Sequence, residues 1–216
     1  MTDYISVYNE VKASNPSVVL LAVSKTKSYE KVLEAYSDGA RLFGENRVQE
    51  IEKKFPLVRP EGMKVYLIGQ LQRNKVKKAV ALCDRIESVD SLELLEKIDS
   101  EAGKIGKRME ILFEVNSSGE EQKSGFRSAF ELINAVKRAG TLPNISLIGL
   151  MTVGPLGGDR DKNMKAFRYT KELFDEINFF HPLTVLSMGM SGDWREAVES
   201  GSTEVRIGSA IFGARN

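Results

Sequence analysis

Lys25 stands at the end of an apolar run, Ser17 to Val23 (SVVLLAV), that leads straight into Ser24-Lys25-Thr26-Lys27. A lysine so placed can turn its amine into the mouth of a sheet or barrel. The chemistry open to it is nucleophilic, because desolvation lowers the pKa of an amine and only the free base adds to a carbonyl to form a Schiff base. A second set of small polar residues lies near the other end of the chain. There, Leu183 to Leu186 reads as a short buried strand broken by Ser187, Gly189, Ser191 and Gly192, and Glu204 to Ile207 as another followed by Gly208-Ser209. Asp193 to Glu199 can form a helix closed by Gly201, with Ser191 or Asp193 as its N-cap. Amides at the start of such helices have no intrahelical acceptor and suit a bound anion. A lysine beside an anion cradle suits a phosphorylated aldehyde or ketone. Position alone also fits a surface lysine, with Lys27 two residues away, and two ordinary strand-to-helix turns, so the residues by themselves leave the choice open.

The elements needed to hold these residues follow from the apolar patterning. Strands are predicted at 17–23, 40–43, 64–68, 84–88, 109–115, 145–151, 183–186 and 204–207. Helices are predicted at 3–13, 28–35, 47–54, 72–82, 91–102, 128–138, 163–177 and 193–199. Eight strands alternating with helices and no Pro/Ser-rich linker predict an α/β chain forming a single eight-stranded β/α (TIM-type) barrel over residues 1–216. An open doubly wound sheet fits less well, since no glycine-rich dinucleotide turn follows the first strand. Functional groups in such barrels lie after the strands, with phosphate sites often after the seventh and eighth. That face is expected to receive Lys25, Asn46, Gln70, Asn116 and Met151-Thr152 along with the two small-residue turns. In the 163–177 helix, Met164, Phe167, Leu173, Phe174 and Ile177 recur at the spacing of a face packed on the barrel.

Composition narrows the partners. With 31 basic and 30 acidic residues the formal charge is +1, which gives no reason to expect nucleic acid or an acidic membrane surface. The basic residues Arg73, Lys75, Lys77 and Lys78 read as a solvated helix face. Cys83 and His181 are single representatives of their types, which rules out an intrachain disulfide or a Cys/His metal cluster. His181, held extended before Pro182, reads as structural, and Cys83 as a small buried hydrophobe. No basic leader and no apolar run of about 18 residues is present, which predicts a cytoplasmic protein.

Seven strings carry a more specific signal: AVSKTK (22–27), FGENRVQE (43–50), LIGQLQRNK (67–75), KSGF (123–126), GLMTV (149–153), LSMGMSGDWREAV (186–198) and GSTEVRIGSAIFGAR (201–215). In this order and over nearly the whole chain they resemble the pyridoxal phosphate homeostasis protein family. The resemblance implies the barrel fold of the alanine racemase N-terminal domain, with pyridoxal 5′-phosphate as cofactor on Lys25. It further implies Ser191 and the Gly208 and Ser209 amides on the phosphate, Arg206 facing the pyridine nitrogen, and Asn46 close to the cofactor, with Ser187 and Met190 as additional candidates. Two departures stand out: Tyr66 occupies a place where the family usually has histidine, and the N-terminal helix is short, which can loosen closure beside the first strand.

The expected role is storage, buffering or delivery of the cofactor by a monomer, with apo-enzymes that use it as candidate protein partners and no catalytic residue. A racemase-like enzyme of the same barrel is the alternative, and an aldolase-like Schiff-base enzyme a third reading. Two features weigh against turnover. A guanidinium is a permanent donor that favours an unprotonated ring nitrogen and a poor electron sink. The sequence also ends at Asn216, before any second domain that could supply a racemase's tyrosine base.

Overall fold

The computed structural model describes residues 2–213. Eight parallel strands close into a barrel in strict chain order. They are β1 (Val19–Val23), β2 (Leu42–Glu45), β3 (Lys64–Leu67), β4 (Arg85–Val89), β5 (Met109–Val115), β6 (Ile145–Thr152), β7 (Val185–Ser187) and β8 (Glu204–Ile207). Around them run α1 (Tyr4–Ser14), α2 (Tyr29–Ser37), α3 (Val48–Lys54), α4 (Val76–Leu82), α5 (Leu92–Gly103), α6 (Ala129–Ala139), α7 (Arg160–Asn178), α8 (Trp194–Glu199) and α9 (Ser209–Phe212). The open-sheet alternative is thereby excluded.

Several boundaries move, each for a local reason. The second strand begins at Leu42 rather than Ala40, because the Ala40 amide still donates to the Ala35 carbonyl at the end of α2 and pairing with β3 starts only at Leu42–Lys64. The seventh begins at Val185, since the Leu183 amide is taken by the Asn178 side chain. The helix predicted from residue 163 starts at Arg160, where Asp159 accepts from the Lys162 amide at 2.9 Å and caps the chain three residues earlier. The segment 72–82 divides into a 3₁₀ turn over Arg73–Lys75 and then α4.

Alternation along each strand sorts the side chains into two environments. Outward residues such as Phe43, Val65, Ile86, Phe113 and Val205 join the buried faces of the helices in one apolar cluster. The apolar stripe expected on α7 belongs to this layer, with Met164, Phe167, Leu173, Phe174 and Ile177 all buried. Cys83 is buried too, and burial pushes its thiol up to about 12, which leaves it unreactive. His181 places Nε2 3.1 Å from the Leu147 carbonyl, a structural role.

Closure between β1 and β8 is intact over four residue pairs, from Val19–Glu204 to Ala22–Ile207. The short α1 does not loosen it. Tyr4, Val7 and Val11 are buried, the Asp3 amide donates to the Ile211 carbonyl at 2.9 Å, and Glu10 pairs with Arg195 at 2.8 Å.

Candidate functional site

Lys25 leaves the end of β1 on a turn that its neighbours hold firmly. Thr26 has φ 64°, the one positive φ outside glycine among the described residues, and its amide donates to Glu50 Oε2 at 3.1 Å. A β-branched residue in this region is strained by about 1–3 kcal/mol, and such strain persists only where its surroundings impose it. Beneath the turn, Lys54 Nζ donates to the Ser24 carbonyl at 2.8 Å and to Glu45 Oε1 at 2.7 Å, while Ser24 Oγ donates to the same carboxyl oxygen at 2.6 Å. Burial holds Glu45 above the usual carboxylate range, against the pull of Lys54. This cluster grips the residue just before Lys25.

The facing wall is built from the turns after β7 and β8. Gly189 has φ 93°, and a Cβ there would lie 2.6 Å from Ala197 Cβ, so only glycine lets α8 approach this closely. Asp193 occupies the N-cap position of α8, but its carboxylate reaches back to accept from the Met190 amide at 2.6 Å rather than capping. The amides of Asp193 and Trp194 donate to the Met190 carbonyl. Ser191 is not a cap either. Its Oγ accepts from the Gly208 amide at 3.4 Å and joins the two turns, which leaves the hydroxyl proton able to donate elsewhere. Among the described residues, the amides of Ser191, Gly192, Ser209 and Ala210 have no hydrogen-bond acceptor within the chain. Four orphan donors on two adjacent turns are a cradle for an anion.

Between the Lys25 turn and this wall lies a cavity of about 530 Å³. Lys25, Asn46, Met190, Ser191, Arg206, Gly208 and Ser209 all line it. Ser187 does not. It is completely buried behind Arg206, whose Nη1 donates to Ser187 Oγ at 2.8 Å while Nη2 donates to the Thr152 carbonyl at 2.7 Å. The apolar parts of the wall come from Val23, Ile68 and Val153. Gln70 is exposed and outside the cavity wall. Asn116 is spent on its own loop, donating to the Glu120 and Lys123 carbonyls. Thr152 contributes its carbonyl rather than its side chain, and Met151 is buried.

Patterning by strands and turns overlooked a charged layer below the cavity. Arg85 Nη1 donates to Glu204 Oε2 at 2.9 Å and lies 3.4 Å from Glu87 Oε1, its Nε lies 3.5 Å from Glu110, and its guanidinium covers the Tyr66 ring at 4.2 Å. Tyr66 is thus an interior packing partner of Arg85, and burial raises its hydroxyl pKa. The signal lay in the alternation. In RIESV (85–89) and EVRI (204–207) the charges Arg85 and Glu87, then Glu204 and Arg206, recur at every second residue, which sends them to one face. No group of three or more His, Cys, Asp or Glu able to hold a metal occurs among the described residues, and no helix among them is long and apolar enough to cross a membrane.

Fold and site together define a β/α barrel of the alanine racemase N-terminal type, and residues 8–216 match the family described as alanine racemase, N-terminal domain. The chain is 39% identical over 218 residues to the pyridoxal phosphate homeostasis protein of Vibrio alginolyticus, covering 97% of this chain and 92% of that one. It is 40% identical over 212 residues to the human protein of that name, covering 91% and 76%. Among solved structures, PipY of Synechococcus elongatus is 34% identical and matches with a TM-score of 0.91 without pyridoxal phosphate and 0.86 with it bound, each over 97% of this chain and 100% of that one. The chain belongs to the pyridoxal phosphate homeostasis protein family.

Proposed function

We propose that this protein binds pyridoxal 5′-phosphate and serves its homeostasis by storing, buffering or delivering it, without substantial catalysis. The observation that carries the reading is the pairing, across one cavity, of Lys25 with the amides of Ser191, Gly192 and Ser209, which lack an acceptor. Bound there, the group supplies an aldehyde that can bond to an amine and a phosphate that can anchor it. In this reading Lys25 is the attachment point and Ser191 and Ser209 hold the phosphate, while Gly208, expected to give its amide to the phosphate, gives it to Ser191 Oγ and joins the two turns. Asn46 and Met190 flank the ring, and Arg206 donates to its nitrogen. Ser187 acts behind Arg206, as its buried position requires.

The absence of turnover is supported by what lines the cavity. Among its described residues the titratable groups are Lys25, Lys27 and Arg206, with no carboxylate, histidine or tyrosine to protonate the ring nitrogen or act as a second base. A carboxylate there would stabilise a protonated ring and favour carbanion chemistry, whereas a guanidinium can only donate. General acid–base catalysis is worth about 10²–10⁴-fold, so a site lacking that partner forfeits much of the rate. The experiment has two arms on the loaded protein. Exchange of the α-proton of L-alanine and other amino acids should proceed no faster than with free cofactor, and an apo-enzyme should recover activity when mixed with the loaded protein. Exchange many times faster than with free cofactor, and lost in Lys25→Ala, would favour the racemase-like reading. Failure to reactivate any apo-enzyme would remove delivery from the proposed role.

A further inference from the structure

The chain of contacts behind Arg206 has one possible direction. A guanidinium has donors only, so Ser187 Oγ must accept from Arg206 Nη1 at 2.8 Å and pass its own proton onward, to Glu87 Oε2 at 3.0 Å. Glu87 is completely buried, and its carboxyl and that of Glu204 lie against the same nitrogen, Arg85 Nη1, at 3.4 and 2.9 Å. Two buried carboxylates that share one guanidinium nitrogen disfavour each other's charge, which favours a proton on one of the pair.

Geometry says which. Arg85 Nη1 is 2.9 Å from Glu204 Oε2 but 3.4 Å from Glu87 Oε1, so the guanidinium is committed to Glu204, and Glu87 is the member without a close cation. The other oxygen of the Glu204 carboxylate, Oε1, is buried with no hydrogen-bond partner. A proton on Glu87 supplies the donor it lacks. The groups around Glu87 are Arg85 beside it on β4, Tyr66 on β3, and, across the barrel, Ser187 on β7 and Glu204 and Arg206 on β8, with the buried Glu114 of β5 acting on Arg206. Burial and the Glu204 charge raise the Glu87 pKa, and the two arginines only partly oppose them.

We propose that Glu87 is a positioning residue for the cofactor: as a neutral acid it donates to Glu204 and accepts from Ser187, and so holds Arg206 as a fixed donor toward the ring nitrogen. This rests on the reading of Arg206 given above. A neutral acid suits this task better than a carboxylate would. Ionised, Glu87 would compete with the cavity for the guanidinium and draw it down into the barrel. Protonated, it fixes the Ser187 hydroxyl without adding charge beneath the ring.

Infrared spectroscopy of the apo-protein and nitrogen NMR of the protein loaded with ring-¹⁵N pyridoxal phosphate test the idea separately. At neutral pH the wild type should show a protonated-carboxyl band that Glu87→Gln lacks. The ring-nitrogen signal of Glu87→Gln should match the wild type, because the amide also accepts from Ser187 and donates to Glu204. Ser187→Ala and Glu87→Leu should move that signal and weaken cofactor binding by about tenfold. Ser187→Ala removes only a hydroxyl, so it keeps the test alive should Glu87→Leu not fold. Absence of the carboxyl band overturns the proposal, as does a Glu87→Gln signal displaced like that of Glu87→Leu. If Arg206→Ala moves the ring-nitrogen signal while Ser187→Ala and Glu87→Leu do not, the proposal alone falls. If Arg206→Ala itself leaves the signal in place, the reading of Arg206 falls and takes the proposal with it.

Discussion

The two faces of the barrel strands are built on opposite principles. Outward, Phe43, Val65, Ile86 and Phe113 pack against helices with no polar atom to satisfy. Inward, the layer that an eight-stranded barrel commonly fills with branched aliphatics holds Arg85, Glu87, Glu204 and Arg206. Apolar burial on the outside needs only shape and volume. Charge burial on the inside needs every partner present, because a buried ion costs several kcal/mol unless it is paired. The outer face therefore accounts for folding, and the inner face makes sense as a platform beneath the cavity.

The largest effects should separate the faces directly. Phe113→Ala should cost about 3–5 kcal/mol in urea unfolding, and no second substitution should restore it, because the loss is a cavity. Arg85→Ala should cost a similar 3–5 kcal/mol by leaving Glu204 buried and unpaired. Here the loss should be recoverable: Arg85→Met combined with Glu204→Leu should lie within about 1–2 kcal/mol of wild type, since apolar replacement of a buried pair is commonly neutral. A double variant as unstable as Arg85→Ala would break the contrast.

At the mouth, the four amides without acceptors predict that pyridoxal lacking the phosphate binds at least about a hundredfold more weakly than pyridoxal phosphate, each charge-assisted hydrogen bond being worth about 1.5–3 kcal/mol. Calorimetric titration of both ligands is the check, and equal affinities would show that the cradle is not used. Thr26→Gly should raise stability by about 0.5–1 kcal/mol in urea, the relieved strain outweighing the entropy of the added glycine. Unchanged or lower stability would mean that the turn is not strained by its φ.

A separate effect is in pH. An ordinary glutamate titrates near 4.5, whereas Glu87 is held well above that when folded, mainly by burial and the Glu204 charge. Above pH 4.5 the unfolded chain releases this proton and the folded chain keeps it, so wild-type stability should fall relative to Glu87→Gln until the folded group ionises as well. A difference between the two that is flat in pH would remove the proton from Glu87.

Much of this was legible in the sequence, and the exceptions are instructive. The eight strands, the turns after β7 and β8 and the cavity position of Lys25 follow from local patterning, because each depends on neighbouring residues. The inner charged layer depends on residues 119 apart in sequence, such as Arg85 and Glu204, and no window along the chain brings them together. Ser187 lies outside the cavity wall for a related reason. The resemblance offered it as a cofactor contact, but the strand extends through it and its inward side chain lies beneath Arg206. Asp193 looked like a cap by type and position, yet its shortest bond is to the turn before it.

The central claim is that the barrel mouth holds pyridoxal phosphate on Lys25. Borohydride reduction of the loaded protein, followed by peptide mapping, tests it most directly. The account predicts one modified peptide, carrying the cofactor on Lys25, and none in a folded Lys25→Ala variant. Label on Lys27, or on any other lysine of the wild type in place of Lys25, would contradict it.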